Sequence, residues 1–268
     1  MYLYEDQFSE IHDFPKVDRP VKVLVIASTA RCGSHMLGHA LHQTGKFGFP
    51  LEYMNHANLA EWKKRIGSNN IEEVLQVIQS RRTSTNGVFG IKIHYSHIQM
   101  FGGFEKVMQF FPNAYYVLLS RNDVLRQAVS LSIAKQTGVW ISGQQPVNDN
   151  PEYDSTDIEN CLRQTILDNA SWRFTLAASG SNYIEMDFDQ ARRNLPDSVQ
   201  KVADFIDIQI DQHDIPTEQV TKKQSNSRNR EWAERFVSEF KKSDKLLQPE
   251  TPGLMKRIKG KVFRVLGA

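Results

Sequence analysis

The chain has 268 residues, 40% hydrophobic and 24% charged, enough apolar material for one sizeable core or at most two, and this excludes a disordered class. Its formal net charge of +2 excludes a general nucleic-acid surface, so any anion site has to be local. Two cysteines, Cys32 and Cys161, exclude a disulfide framework and fit a reducing, cytoplasmic setting.

Residues 1–20 are acidic and lack an apolar core, so they read as a surface arm rather than a signal peptide or a membrane span. The run VKVLVI over 21–26 is expected as a strand buried on both faces. Small residues from Ala27 to Gly33 follow, enclosing one cation, Arg31. From Ser34 the apolar positions Met36, Leu37, Ala40 and Leu41 fall at helical spacing until Gly45. A loop over 46–56, rich in apolar and aromatic residues, is expected to fold back onto the domain. Helical periodicity marks 59–66 and 71–78, with Ser68-Asn69-Asn70 as the break and N-cap. Residues 88–94 read as a second strand, 97–111 as a helix despite Gly102-Gly103, and 114–119 as a third strand. The turn Ser120-Arg121-Asn122-Asp123 then caps a helix over 124–137, a second strand–turn–helix unit. Residues 138–155 are long for a plain connection and read as a lid or substrate loop. A helix over 156–178, a strand over 182–188 and a helix over 198–206 continue the alternation. That rhythm predicts an α/β layer fold with a parallel sheet.

A strand, a tight turn and a helix N-terminus together aim backbone N–H groups and a positive dipole end at an anion. The first candidate site is therefore a phosphate or sulfate cradle at residues 27–35. A Walker A loop would need a lysine after the glycine, yet the chain reads Cys32-Gly33-Ser34-His35. The third strand likewise ends in Ser120-Arg121 rather than a magnesium-holding aspartate, which argues against an NTP kinase. What remains is an anion cradle with Arg31 and Arg121 at two strand ends.

These two loops resemble the sulfotransferases that use 3′-phosphoadenosine 5′-phosphosulfate (PAPS), most closely the bacterial carbohydrate group that includes trehalose, lipopolysaccharide and nodulation-factor sulfotransferases. The resemblance covers about residues 21–236 and implies a single P-loop-like three-layer domain with a central parallel sheet flanked by helices. It assigns the 5′-phosphosulfate to Ser28, Arg31, Cys32, Gly33, Ser34 and His35, with Cys32 and His35 departing from the usual hydroxyl residues. Arg121 and Ser130, nine apart within RNDVLRQAVS, match its 3′-phosphate signature. Lys223, Gln224 and Arg228, ahead of Glu231-Trp232, resemble its C-terminal donor-binding segment, with Lys223 where an arginine is usual.

In-line sulfuryl transfer needs charge neutralisation and a base for the acceptor hydroxyl, and no metal is required. The resemblance makes Glu52, in Pro50-Leu51-Glu52-Tyr53, that base. Its apolar loop would raise its pKa. Lys92, in Gly90-Ile91-Lys92, is a candidate to stabilise the transferred group, or else a strand-end charge that snorkels to water. The histidines show no metal-binding spacing, and no Cys–His–acid order makes Cys32 a nucleophile. Tyr53, His94 and Trp140 are candidate acceptor contacts, the aromatic rings as sugar-stacking platforms.

The expected function is sulfonate transfer from PAPS to a hydroxyl of a carbohydrate or glycolipid. The competing readings are a P-loop-like nucleotide kinase and a non-catalytic nucleotide-binding protein. The domain is placed at 21–245. The basic amphipathic tail at 246–268 either docks on the core or makes peripheral contact with an anionic membrane. The resemblance also allows a homodimer.

Overall fold

The computed structural model describes residues 5–16, 20–141, 143–217 and 227–240. One compact unit runs through Ala233; a second begins at Glu234, and its described part, 234–240, is helical. In chain order the elements are β1 (Lys22–Ser28), α1 (Ser34–Gln43), α2 (His56–Ile66), α3 (Ile71–Arg82), β2 (Val88–His94), α4 (Phe104–Phe110), β3 (Tyr115–Ser120), α5 (Val124–Thr137), α6 (Ser155–Ala178), β4 (Asn182–Asp187), α7 (Phe188–Arg193), α8 (Leu195–Phe205) and α9 (Ser227–Phe240).

All four strands are parallel, in the order β2-β1-β3-β4. Successive strand side chains point to opposite faces, so one continuous apolar run feeds two cores. From β1, Val23, Val25 and Ala27 pack with Phe89, Ile91, Leu51, Trp62 and Trp172 on one face. Leu24 and Ile26 pack on the other with Leu37 and Leu41 of α1 and Val199 and Val202 of α8. Each fully buried side chain of this size contributes about 1.5–3 kcal/mol. The result is the expected P-loop-like three-layer α/β domain. Because β2 and β3 lie on opposite sides of β1, the chain reverses direction there, and a crevice opens beyond the strands' C-terminal ends.

Two local expectations change. The predicted helix over 97–111 is a 3-10 turn, Tyr95–Phe101, followed by α4, because Gly102 and Gly103 both adopt positive φ (90° and 111°). The described part of the N-terminal arm, 5–16, keeps exposed residues such as Ile11 but is anchored through Gln7 and Phe8, both buried. Phe8 is 4% exposed and joins the core with its ring 5.2 Å from that of Trp62. The guanidinium of Arg82, fully buried on α3, donates to the carbonyls of Gln7 and Ser9, both at 3.0 Å, and lies 3.3 Å from Asp13. Among the described residues no helix is long and apolar enough to cross a membrane. The expected tail at 246–268 lies outside the described residues.

Candidate active site

The loop between β1 and α1 turns on two left-handed residues, Arg31 at φ 65° and Gly33 at φ 93°. Gly33 is the N-cap of α1 and supplies no side-chain capping bond, so the first-turn amides are left for an incoming anion. Phe188, the first residue of α7, packs where a Cβ on Gly33 would stand. Gly33→Ala is therefore expected to destabilise the fold by about 1–3 kcal/mol and to weaken anion binding, read by urea melts and nucleotide titration.

A cavity of about 1120 Å³ opens over this loop. Thr29, Ala30, Arg31, Gly33, Ser34 and His35 line its floor, and Arg121 and Ser130 line the side below β3 and α5. Arg31 donates from Nε to Ser130 Oγ at 3.0 Å and from a terminal nitrogen to the Trp140 carbonyl. Burial, and then repulsion from Arg121, push its pKa down to about 10, so it remains a cation at neutral pH. Arg121 lies over the Phe188 ring, its guanidinium carbon 5.6 Å from the centroid. Its buried Nε–H has no hydrogen-bond partner among the described residues, which is costly until an anion supplies one.

Glu52 lines the same cavity. The carbonyl of Leu51 accepts from the Lys92 amide at 2.9 Å, which stitches this segment to the edge of β2. The stitch brings Glu52 Oε1 to 2.7 Å from Lys92 Nζ and 3.4 Å from His94 Nε2. Lys92 is only 3% exposed, so it does not snorkel to water. Burial alone would raise the pKa of Glu52, but the attraction of His94, Lys92 and His97 outweighs it and holds the carboxyl well below its usual value. His94 is itself pushed by burial down to about 3, so at neutral pH Lys92 is the lasting cation. The expected upward shift from an apolar loop is thus reversed by His94, Lys92 and His97 together. Donor atoms of Glu52, His94 and His97 lie within 4.8 Å of one another, a cluster that the histidine spacing did not suggest. Lys92 already holds the cation position on Glu52 there.

The Stf0 sulphotransferase family profile matches residues 23–239, most of the chain. The chain belongs to the Stf0 sulfotransferase family. It is 25% identical to trehalose 2-sulfotransferase of Mycolicibacterium smegmatis over 258 residues, covering 82% of this chain and 95% of that protein. It is also 25% identical to trehalose 2-sulfotransferase of Mycobacterium tuberculosis over 262 residues, covering 83% and 97%. A sulfotransferase structure from Mycobacterium avium aligns at a TM-score of 0.47 and 10% identity, covering 92% of this chain and 81% of that one. The protein is thus a sulfotransferase, and the kinase and non-catalytic readings fall away.

Against this family frame, several residues assigned from sequence sit elsewhere. Tyr53 is fully buried, donates its hydroxyl to the Phe49 carbonyl and packs on Trp62 and Phe89, so it is no sugar platform. Cys32 is fully buried in the α1-side core, and Ser28 is buried beneath the loop; neither lines the cavity. Arg228 does not line it either, whereas its neighbours Ser227, Asn229 and Arg230 do. Lys223 and Gln224 lie outside the described residues. His94 and Trp140 do line the cavity. Sequence reasoning missed His97, Phe188, Arg126 and Arg192, all cavity-lining. His97 was readable as the partner three residues after His94; nothing in the sequence pointed to Phe188.

Along α1, His35 and His39 are held neutral. Burial, followed by repulsion from Lys92, pushes them down to about 2 and about 4. In the unfolded chain both titrate near 6.5, so the unfolded state takes up protons first as pH falls. Stability is therefore complete above about pH 6.5 and declines on acidification through pH 4. For His39 alone the loss is on the order of 3 kcal/mol. Urea melts at pH 7, 5 and 4 check this, and His39→Asn should flatten the decline.

Proposed function

We propose that this sulfotransferase carries a sulfuryl group from PAPS to a hydroxyl of a carbohydrate or glycolipid. The observation that supports this most is one cavity lined both by an anion cradle and by a carboxylate paired with a lysine. At about 1120 Å³ it exceeds the roughly 300–1,000 Å³ typical of a single small ligand, leaving room for donor and acceptor together. The trehalose-sulfating relatives support a sugar on the acceptor side.

The donor, when bound, supplies an electrophilic sulfur on a bisphosphate leaving group. Arg31 and the amides at the start of α1 hold the 5′ end. Arg121 and Ser130 hold the 3′-phosphate; Ser130 Oγ accepts from Arg31 and keeps its own hydrogen to donate. Glu52 takes the acceptor proton as the oxygen attacks, His94 orients that hydroxyl, and Lys92 neutralises oxygen charge as the bond to the leaving group breaks. The test is a thermal-shift comparison of adenosine 3′,5′-bisphosphate, PAPS, ATP–magnesium and NAD, followed by sulfate transfer to a sugar panel including trehalose. Stabilisation by the two bisphosphate compounds alone, with transfer to a sugar, is expected. Stabilisation by ATP–magnesium alone, or no transfer to any sugar, would overturn the reading.

A further inference from the structure

The loop that receives the anion is gripped from its buried side by one amide. Gln127 of α5 is fully buried and does not line the cavity. Its Nε2 donates to Thr29 Oγ1 at 2.8 Å and to the Ala30 carbonyl at 2.7 Å. Both amide hydrogens are thereby used on the loop, while Oε1, equally buried, has no hydrogen-bond partner among the described residues. An orphaned buried acceptor is destabilising, and a methionine of similar shape would avoid it. The amide therefore sits where its donors are needed.

The direction of that grip matters. Across a trans peptide the carbonyl of one residue and the N–H of the next point oppositely. Holding the Ala30 carbonyl on Gln127 turns the Arg31 N–H the other way, away from Gln127, which itself does not line the cavity. Arg31 is also a left-handed non-glycine residue, a conformation that has to be imposed by its surroundings. The Ala30 carbonyl before it is fixed by Gln127, and the Cys32 amide after it bonds to the Thr29 carbonyl at 3.3 Å. So held, Arg31 reaches Ser130, which stands three residues after Gln127 on the same helix. Helix α5 thus fixes the loop backbone with one side chain and the loop cation with another.

We infer that Gln127 is a positioning residue that keeps the loop in its donor-binding form, an inference resting on the bisphosphate-donor reading above. Gln127→Met keeps the shape without donors, and Gln127→Glu keeps the shape with a carboxylate facing the Ala30 carbonyl. Val129→Ala, fully buried on α5 and away from the cavity, is the control for lost packing. Both Gln127 variants are expected to bind adenosine 3′,5′-bisphosphate about tenfold or more weakly and to raise the donor KM with the acceptor KM unchanged. Val129→Ala should lower Tm while leaving bisphosphate affinity at the wild-type value. Wild-type affinity in the Gln127 variants, or an equal loss in Val129→Ala, overturns the inference. If Gln127→Met fails to fold, Gln127→Asn, too short to reach both acceptors, carries the same expectation. Failure of the wild-type protein to bind the bisphosphate would instead sink the donor reading itself.

Discussion

Glu52→Gln should lower kcat by roughly 10²–10⁴-fold, the range for loss of a general base, while adenosine 3′,5′-bisphosphate should raise Tm by the same amount as in the wild type. The amide keeps the size of the carboxylate and an oxygen for Lys92, so the local packing survives. What it cannot do is take a proton. Turnover at the wild-type rate in this variant would remove Glu52 from the chemistry.

Lys92→Met should act on both rate and pH. Losing a buried cation aimed at developing oxygen charge is expected to cost about 10²–10³-fold in kcat. The same change removes one of the attractions that, with His94 and His97, hold the Glu52 carboxyl low, so burial pushes it back upward. A base works only when ionised, so activity is lost as pH falls through its pKa. The acid limb of kcat/KM should therefore move to higher pH in Lys92→Met. Superimposable profiles would mean that the 2.7 Å pair does not set the basicity of Glu52.

The parts of this site that are local in sequence were legible. Arg31 follows β1 within a few residues and Arg121 directly follows β3, so strand periods bring both cations to one end of the sheet, while Ser130, two turns into α5, was singled out by the family resemblance. The Glu52–Lys92 pair was not legible as a pair, because it depends on a backbone bridge between Leu51 and Ile91, forty positions apart. Tyr53 was not legible either, because it lies in a turn directly after Glu52, its amide donating to the Leu51 carbonyl at 3.1 Å, where no strand or helix period assigns a face. The broken helix at 102–103 was written in its paired glycines and overridden by apolar periodicity on either side.

The grip of Arg82 on the N-terminal segment sets a constraint on the order of folding. Its contacts with Gln7 and Ser9 span 75 and 73 positions, so this segment can meet Phe8's and Gln7's partners on α2 before it can be closed down by Arg82 of α3. Gln7 in turn donates to Asn58 at 3.0 Å, and Asn58 donates to the Glu52 carbonyl at 2.7 Å. The backbone that presents Glu52 is therefore completed by a segment distant in sequence, and a change that hinders the docking of Gln7 would be felt at the carboxylate.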